Sequence, residues 1–427
     1  MRSYQNLIGG EWVSAQSGQT FTNLNPADTR EAVAQYPQGG RADALAAIAA
    51  AQTAFPGWAA QTSVARGRVL SKAAQLVEAR KPELAELLTR EEGKTLAEAT
   101  GEVQRTADIF RFFGGLSYVL GGQTIPHDLP SQLLYTRREP LGVVALITPW
   151  NFPIAIPAWK MAPALVTGNA VIIKPASQAP ALTCELAKIL AEAGLPKGVL
   201  NVVIGNGREV GGELAANPGV VALSFTGSYS VGSQIYQQLA PRMARAQMEM
   251  GGKNPTIVLA DADLDLAARL VAIAGFGLTG QACTATSRVI VEQSVAEAFA
   301  AKLIEKARAL IVGNGLKHGV TMGPAVSQAQ LEGNLNYVQI AQQEGASLLC
   351  GGERLTDGDL AHGYFMQPTV LGNVKPTARI ACEEVFGPVI GIIPVAGFEE
   401  AIAVANSVDV GLSASLVTRD FKKAMLY

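Results

Sequence analysis

One cysteine, Cys283, lies in a stretch of small and polar residues, 280–286, between a helical pattern and an apolar strand pattern. A cysteine in such a loop is accessible, and its thiolate can attack an electrophilic carbon. Most cysteines are instead small buried hydrophobic side chains, and Cys184, on the apolar stripe of a predicted helix, fits that description. We therefore predict that Cys283 is a nucleophile and that Cys184 belongs to the core.

Glu249 is a carboxylate within an apolar strand pattern, flanked by Met248 and Met250. Burial disfavours the charged form of a carboxyl group, so we expect a raised pKa that suits a general base. A buried ion pair is the alternative explanation of such a residue, and the sequence leaves both open.

Glycine turns follow two of the predicted strands. The turn 205–207 comes after the apolar run 199–204, but the next glycine, Gly211, misses the spacing of the dinucleotide-binding fingerprint. The turn 225–228 ends another apolar run where a helix begins, and backbone N–H groups at a helix start favour an anion. An ordinary strand-to-helix turn is the alternative at both places.

The four cysteines do not have the spacing of metal ligands. They are widely separated in the chain, at Cys184, Cys283, Cys350 and Cys382. We therefore expect free thiols in a reducing compartment and no metal site.

The elements that must position these residues follow an α/β pattern. Residues 41–119 show consecutive amphipathic helical patterns. Beyond an extended segment at 132–138, short apolar runs alternate with helical patterns, which is typical of parallel strands joined by right-handed crossovers. Such runs lie at 142–147, 170–173, 199–204 and 220–225, and a second series begins at 256–259. The sequence predicts an α/β fold with two sheets.

Composition excludes several classes of protein. A chain of 427 residues exceeds the size at which one core stops growing, so at least two domains are expected. A net charge of −2 without a basic run disfavours nucleic acid and anionic membranes as partners. The uncharged stretch 141–159 contains three prolines, which indicate a buried strand and loop rather than a membrane span. The N-terminus lacks the apolar region of a secretory signal, so we expect a cytoplasmic protein.

Four motifs occur in the order known from one family: residues 149–153 (PWNFP), Glu249-x-Gly251-Gly252-Lys253, the Cys283 loop, and Glu384-x-Phe386-Gly387-Pro388. Together they resemble the aldehyde dehydrogenase superfamily, from Gly9 to the last residue. The resemblance implies a Rossmann-like NAD(P)-binding domain over 1–127 and 140–250, and a small β bridging or oligomerisation strand over 128–139. It further implies a catalytic domain over 251–427 and assembly as a homodimer or homotetramer.

The resemblance also implies a mechanism, the NAD(P)-dependent oxidation of an aldehyde to a carboxylate. Cys283 would form a thiohemiacetal and then a thioester. Asn151 would stabilise the oxyanion together with the backbone N–H of Cys283. Glu249 would activate the hydrolytic water, which argues against transfer of the acyl group to coenzyme A.

Cofactor contacts are implied in the same way. Lys174 matches the lysine at the adenosine ribose or its phosphate, Ser228 a pyrophosphate contact, and Glu384 the residue at the nicotinamide ribose. Ser177 stands where strictly NAD-using members often carry glutamate, so NADP should be accepted as well as NAD. The remaining implied contacts are Thr148, Pro149, Trp150, Gly207, Gly211, Phe225, Thr226, Gly227, Gly251 and Phe386.

The substrate can be narrowed within the family. Residues 150–165 and 281–288 are similar to those of the α-ketoglutaric semialdehyde (2,5-dioxopentanoate) dehydrogenases, which implies that substrate. Succinic semialdehyde enzymes commonly carry arginine where Trp159 stands. Succinic semialdehyde and broad-specificity oxidation are the alternatives within the class.

The substrate carboxylate needs a cationic partner, and Arg105 is the candidate. It shares a helix stripe with Ile109 and Phe112, so we expect its charge on a face that apolar residues bury. An ion pair of Arg105 with Asp108 or Glu102 is the alternative. The other substrate contacts that we expect are Phe152 and Trp159.

The sequence ends at Tyr427 in a helical pattern, whereas the resemblance implies a further C-terminal segment. That segment would add a catalytic-domain strand and close the substrate mouth. An inactive truncated paralogue with a binding role is therefore a further alternative to the enzyme.

Overall fold

The structure is a computed structural model that describes residues 2–427. Contacts divide the chain into two compact units. Unit 1 contains the residues up to Asn23 together with Ala32–Glu91 and Ala99–Glu249. Unit 2 contains Leu24–Glu31, Glu92–Glu98 and Met250–Tyr427.

Strands and helices alternate through most of the chain. The strands are β1 (Arg2–Ser3), β2 (Asn6–Ile8), β3 (Glu11–Val13), β4 (Thr20–Asn25), β5 (Asp28–Pro37), β6 (Thr124–Ile125), β7 (Leu134–Tyr135), β8 (Val143–Ile147), β9 (Ala170–Lys174), β10 (Leu200–Val202), β11 (Ala222–Gly227), β12 (Arg245–Met250), β13 (Pro255–Val258), β14 (Arg288–Glu292), β15 (Ser347–Cys350), β16 (Thr369–Gly372), β17 (Val389–Val395) and β18 (Ser415–Val417). The helices are α1 (Arg41–Ala59), α2 (Ser63–Ala79), α3 (Lys81–Glu92), α4 (Leu96–Leu116), α5 (Ala155–Val166), α6 (Ala181–Glu192), α7 (Gly212–Ala216), α8 (Tyr229–Leu239), α9 (Leu264–Phe276), α10 (Ala296–Arg308), α11 (Gln328–Gln343), α12 (Arg379–Cys382), α13 (Phe398–Ala405) and α14 (Phe421–Leu426).

Unit 1 is built on a seven-stranded sheet of order β12-β11-β8-β9-β10-β2-β3. Strands β11, β8, β9 and β10 are parallel, whereas β2 pairs antiparallel with both β10 and β3. Every residue of β8 and β9 is buried, as expected for parallel strands covered on both faces. The predicted parallel strands and the α/β class are confirmed. The antiparallel extension by β2 and β3 was not predicted, because three-residue strands leave no periodic pattern.

Helices pack against the sheet of unit 1 with buried alanines and a few large buried side chains. The fully buried alanines of α1, among them Ala44, Ala47 and Ala51, let this helix lie close to β9. Trp58 at its end is buried, and its indole N–H donates to the carbonyl of Leu165 on α5 at 3.0 Å. These helices confirm the helical patterns predicted over 41–119.

Unit 2 contains a six-stranded sheet of order β15-β16-β17-β14-β13-β18, parallel except for the β15–β16 pair. Helices α9 and α10 pack against each other on this sheet. Asp263 begins α9, because its carboxylate accepts from the backbone N–H groups of Asp265 and Leu266. The second predicted sheet is therefore confirmed.

The two remaining sheets are small. Strands β1, β5 and β4 form one, and β6 pairs antiparallel with β7 in the other. The uncharged stretch 141–159 becomes the buried strand β8, a loop and the start of α5, as predicted. Among residues 2–427, no helix combines the length and apolarity needed to cross a membrane.

Candidate active site

Several residues predicted to bind a cofactor lie at one edge of the unit 1 sheet. Because β8, β9 and β11 are parallel, their carboxyl ends meet there, and ligands of open α/β sheets commonly bind at such an edge. Thr148 follows β8 and its N–H donates to the carbonyl of Lys174, the last residue of β9, at 3.1 Å. Gly227 ends β11 at the same edge.

Lys174 is the buried cation of this edge. Its ammonium donates to the Pro175 carbonyl at 3.0 Å, and burial lowers its pKa to about 8. Two glycines adjoin its side chain: a Cβ on Gly207 would lie 4.0 Å from Cε of Lys174, and one on Gly211 4.0 Å from Cδ. The structure thus brings Lys174, Gly207 and Gly211 together, as predicted, although the spacing of the glycines differs from that of the dinucleotide-binding fingerprint.

Ser177 lies in the loop after β9 and is half-buried. Its hydroxyl donates to the carbonyl of Gly205 at 3.3 Å, and its own carbonyl accepts from the Asn23 amide at 2.8 Å. The loop is therefore held through both the hydroxyl and the carbonyl of Ser177.

The turn after β11 carries the other glycine motif. Gly227 packs on the ring of Phe225, since a Cβ there would lie 2.6 Å from the ring carbon Cζ. Ser228 is the N-cap of α8, and its hydroxyl lies 3.3 Å from that of Ser230 without capping the helix. Thr148 Oγ1 is buried with no partner among the described residues. Unpartnered donors, glycine turns and a buried lysine fit a dinucleotide phosphate.

The loop between β8 and α5 carries Asn151, which is buried, with Trp150 and Phe152 half-buried beside it in sequence. This loop is fixed by Glu102 of α4, whose carboxylate accepts from the N–H groups of Ile154 at 3.2 Å and Ala155 at 3.1 Å. Glu102 thereby caps α5, which has no side-chain cap of its own. This role of Glu102 was not predicted from the sequence, which indicated it only as a possible partner of Arg105.

Glu249 is exposed rather than buried, so the expected burial and the buried ion pair are both wrong. The reason is that β12 is an edge strand whose residues alternate between exposed and half-buried. Glu249 and Gln247 share the exposed face, and the Gln247 amide donates to the Glu249 carboxylate at 2.7 Å.

Arg105 is exposed, and its guanidinium lies over the ring of Trp159, 5.7 Å from the ring centre. The carboxylate of Asp108 accepts from Arg111 at 2.7 Å, and that of Glu102 accepts from the N–H of Ile154 at 3.2 Å. Arg105 forms no ion pair with either predicted acid among the described residues. The helix stripe was partly misassigned, because Ile109 is buried but Phe112 is 65% exposed.

In unit 2, Cys283 is half-buried within a turn in which the N–H of Ala285 donates to the carbonyl of Ala282 at 3.0 Å. The buried side chain of Asn254 fixes this turn: its amide donates to the carbonyls of Cys283 at 2.7 Å and Ala285 at 3.0 Å. Its oxygen accepts from the N–H of Ser413 at 2.9 Å. Asn254 was not predicted, although it directly follows the Gly251-Gly252-Lys253 motif.

The chain reaches this turn through three consecutive residues with positive φ, Leu278 at 53°, Thr279 at 58° and Gly280 at 67°. Such a backbone costs energy for Leu and Thr, and it persists only where its surroundings hold it. The N–H of Leu278 donates to the Glu98 carboxylate at 2.7 Å, and the Thr279 hydroxyl donates to the Gly323 carbonyl at 3.0 Å. The approach to Cys283 is therefore rigidly supported.

Glu384 is half-buried against Gly251, where a Cβ would lie 1.9 Å from its carboxylate oxygen, so a side chain at this position would displace the Glu384 carboxylate. Burial raises the pKa of Glu384, while Lys253 and the backbone N–H of Gly252 oppose that rise. Two residues on from Glu384, Phe386 has a positive φ of 59°. The motifs around Gly251 and Glu384 are thus brought together within unit 2.

Cys184 differs from Cys283 in burial, whereas Cys350 and Cys382 are half-buried like Cys283. Cys184 is fully buried, as predicted, and burial raises the pKa of its thiol. None of the four cysteines is in a disulfide. Within residues 2–427, no three His, Cys, Asp or Glu side chains are grouped so that they could hold a metal ion.

Comparison with known proteins gives consistent matches over the whole chain. The profile of the aldehyde dehydrogenase family matches residues 12–427. An alpha-ketoglutarate semialdehyde dehydrogenase of Haloferax volcanii is 50% identical over 420 residues, covering 98% of this chain and 87% of that protein. An alpha-ketoglutaric semialdehyde dehydrogenase of Bacillus subtilis is 47% identical over 428 residues, covering 100% of this chain and 87% of that protein.

The fold agrees with solved structures. The crystal structure of an NAD-dependent aldehyde dehydrogenase from Sinorhizobium meliloti superimposes with a TM-score of 0.96 at 37% sequence identity. The match covers 99% of this chain and 84% of that chain.

Proposed function

Because the chain belongs to the aldehyde dehydrogenase family, we propose that it oxidises α-ketoglutaric semialdehyde to α-ketoglutarate with NAD(P)⁺ as the hydride acceptor. The observation that best supports this proposal is the way in which the turn of Cys283 is held. Its turn is half-buried, fixed by Asn254, and approached through a rigid backbone. Such a site exposes one thiol and leaves little freedom to its backbone, which is what a nucleophile held at a fixed angle to a carbonyl requires.

The reaction begins with Cys283. Its thiolate adds to the aldehyde carbon and forms a C–S bond, while the carbonyl oxygen becomes an oxyanion. The Asn151 amide and the Cys283 N–H donate to that oxygen, and losing one such donor typically costs about 10²–10³ in rate. NAD(P)⁺ bound at the edge of the unit 1 sheet would supply the hydride acceptor, and loss of the hydride from the former aldehyde carbon would leave a thioester on Cys283.

Hydrolysis of the thioester completes the turnover. Glu249 takes a proton from water, the resulting hydroxide adds to the thioester carbon, and the C–S bond breaks to release Cys283 as a thiolate. One aldehyde, one NAD(P)⁺ and one water thus give one carboxylate, one NAD(P)H and two protons. An exposed Glu249 suits this role, since water must reach it.

The cofactor would be held by the edge of the unit 1 sheet. Lys174 would contact the adenosine ribose or its phosphate, with Gly207 and Gly211 close by, and the α8 start at Ser228 would contact the pyrophosphate. Glu384 would hold the nicotinamide ribose. We propose that both NAD and NADP are accepted, because the Ser177 hydroxyl adds no charge that would repel a 2′-phosphate.

Two observations support the semialdehyde as substrate. The Haloferax volcanii and Bacillus subtilis relatives, at 50% and 47% identity, carry that activity in their names. Arg105, stacked on Trp159 without a carboxylate partner among the described residues, is a cation that could bind the carboxylate of the substrate.

The proposal is tested by assaying α-ketoglutaric semialdehyde, succinic semialdehyde and hexanal with NAD and NADP, with and without coenzyme A. We expect the highest kcat/KM with α-ketoglutaric semialdehyde and no dependence on coenzyme A. Cys283→Ser should lose turnover and keep cofactor binding, because a hydroxyl is a far weaker nucleophile than a thiolate near neutral pH. Cys350→Ser is the matched control and should remain active.

Each alternative predicts a different result. A preference for succinic semialdehyde, or equal rates on all aldehydes, would overturn the assignment of the substrate. Stimulation by coenzyme A would overturn the assignment of hydrolysis as the last step. Absence of any cofactor reduction by a folded, cofactor-binding sample would favour a binding role. More than a few per cent activity in Cys283→Ser would exclude Cys283 as the nucleophile.

A further inference from the structure

Gln247 occupies a defined place between a buried cation and Glu249. It lies two residues before Glu249 on β12, so the two side chains project from the same face of the strand. Its Nε2 donates to Glu249 Oε1 at 2.7 Å. Its Oε1 accepts from Lys160 Nζ at 3.1 Å and from the hydroxyl of Ser224.

The partners of Gln247 fix the orientation of its amide. Lys160 is 8% exposed on α5, and its ammonium can only donate, so the amide oxygen must face it. The Glu249 carboxylate can only accept, so the amide nitrogen must face it. In the reversed orientation the amide nitrogen would face the Lys160 ammonium, two donors together, and the amide oxygen would face the Glu249 carboxylate, two acceptors together. Only one orientation of the amide therefore satisfies both neighbours.

Lys160 is itself held in place. Its Nζ donates to Ser224 Oγ of β11 at 2.6 Å as well as to Gln247. Burial lowers its pKa to about 8, while the charge of Glu249 opposes that decrease, so it is an ammonium at neutral pH. Gln247 is consequently anchored by a buried group on α5 and a half-buried one on β11, although Gln247 itself is exposed.

This anchoring matters because Glu249 is exposed on an edge strand and has several rotamers available. A base that activates water must be held at a fixed distance from that water and from the thioester. An amide cannot pass a proton without changing its own bonding, so Gln247 can act only by holding the carboxylate.

We propose that Gln247 is a positioning residue that holds the carboxylate of Glu249 for thioester hydrolysis, and that Lys160 and Ser224 hold Gln247. The inference rests on the proposed function, in which Glu249 takes the proton of the hydrolytic water. It concerns only the step in which the C–S bond of the thioester breaks. Formation of the thioester and hydride transfer do not depend on it.

The test is the variant Gln247→Met, which keeps the length of the side chain and removes its three hydrogen bonds, to Glu249, Lys160 and Ser224. We expect kcat to fall tenfold or more and KM to fall with it, so that kcat/KM is unchanged, because slower hydrolysis lets the acyl-enzyme accumulate. Intact-protein mass spectrometry should then detect the acyl group on Cys283. Hydroxylamine, added after desalting has removed the free aldehyde, should release that acyl group as a hydroxamate, because its nitrogen attacks the thioester carbon without a general base, the C–S bond breaks and Cys283 leaves as a thiol.

Two further variants make the test specific. Arg245→Met changes an exposed residue on the same face of β12 and should keep the wild-type kcat. Ser224→Ala should lower kcat less than Gln247→Met, and the double variant should be no slower than Gln247→Met, because Ser224 acts through Gln247.

The contrary results are distinct. A Gln247→Met enzyme with a kcat within twofold of wild type and no acyl-enzyme would refute the role. If kcat and kcat/KM of Gln247→Met fall in parallel, and hydroxylamine finds no acyl group on Cys283 to release, the substitution has a general structural effect instead. If the wild-type protein reduces no cofactor with any aldehyde, the proposed function itself fails, and the inference fails with it.

Discussion

At the scale of single side chains, the backbone of Cys283, the proposed nucleophile, is held in place by Asn254. Asn254 binds the carbonyl of Cys283 through one side of its amide and the N–H of Ser413 through the other. Asn254 is buried, so a replacement without an amide would leave these groups without partners, at a cost of roughly 1–3 kcal/mol for each. The thiol of Cys283 is thereby positioned from a distant part of the chain.

We predict that a second single side chain, Arg105, binds the carboxylate of the substrate. Arg105→Leu should raise KM for α-ketoglutaric semialdehyde tenfold or more, because a charge-assisted hydrogen bond worth roughly 1.4 kcal/mol or more is lost. KM for hexanal should hardly change, since it has no carboxylate. Initial rates over a range of both aldehydes measure this difference.

Arg111→Leu is the matched control for Arg105→Leu. It removes an exposed guanidinium from the same helix, one that pairs with Glu78 and Asp108. It should leave both KM values unchanged. Equal losses on both aldehydes in Arg105→Leu would assign Arg105 a structural role.

The sequence identified residues better than it identified their surroundings. Cys283 and Glu249 were singled out by residue type and motif order, but Glu249 was expected to be buried because its neighbours are methionines. Apolar neighbours along a strand do not show whether that strand lies at the centre or the edge of its sheet. Only the strand order, with β12 at the edge, decides the exposure of Glu249.

At the level of elements, α6 begins on a buried carboxyl group. The N–H of Ala181, its first residue, donates to Oε2 of Glu91 at 3.0 Å, and the Tyr36 hydroxyl donates to Oε1. Burial raises the pKa of Glu91 to about 8, and these hydrogen bonds lower it only in part. Glu91 therefore joins α3, β5 and α6 as a neutral acid near pH 7.

This burial makes stability depend on pH. Between the usual glutamate pKa of 4.5 and the folded value of about 8, the folded state binds more protons than the unfolded state. The contribution of Glu91 is therefore complete below pH 4.5 and is lost as the pH rises through about 8. Glu91→Gln, an uncharged isostere, should remove this loss, so its Tm relative to wild type should increase from pH 6 to pH 9.

Thermal unfolding followed by circular dichroism over that pH range measures the effect. Glu83→Gln, an exposed change on the same helix, is the control and should follow the wild-type curve. A constant Tm difference between Glu91→Gln and wild type would show that Glu91 does not titrate in the folded protein.

The sequence predicted those strands and helices whose hydrophobic pattern extends over enough residues to be recognised. The short apolar runs predicted β8 to β11, because buried parallel strands are continuously apolar. The left-handed residues 278–280 left no such trace, since Leu278 and Thr279 are not residues that favour positive φ. Their conformation is imposed by tertiary hydrogen bonds.

For the molecule as a whole, the β6–β7 pair exposes an apolar surface. Leu133, Leu134 and Tyr135 are 76%, 44% and 62% exposed. A two-stranded ribbon is marginally stable alone, and exposed apolar strand residues commonly mark an interface. This supports the prediction that the segment 128–139 joins copies of the chain.

We predict that the protein is a dimer or tetramer in solution and that Leu134→Lys shifts it toward monomer, because a charge would be buried in the interface. Size-exclusion chromatography with light scattering measures the mass. Thr356→Lys adds the same charge at an exposed position outside the segment 128–139 and should leave the assembly intact. A monomeric wild-type protein would contradict the prediction.

The family and the enzyme class are confirmed by the matches over residues 12–427 and by full-length relatives. Motif order made this possible from the sequence, because four short motifs in one order are far more specific than any one of them. The roles of the individual domains and site residues stay predictions. They depend on bound cofactor and substrate, whose positions a sequence pattern does not give.

The alternation along β12 has a consequence for how this gene can change. Gln247 and Glu249 share one face and Met248 and Met250 the other, so inserting or deleting a single codon within the strand would exchange the two faces. The methionines would then stand where the proposed base and its proposed support stand now. An exposed edge strand normally accepts changes in length, but under our proposal such a change in β12 would abolish thioester hydrolysis.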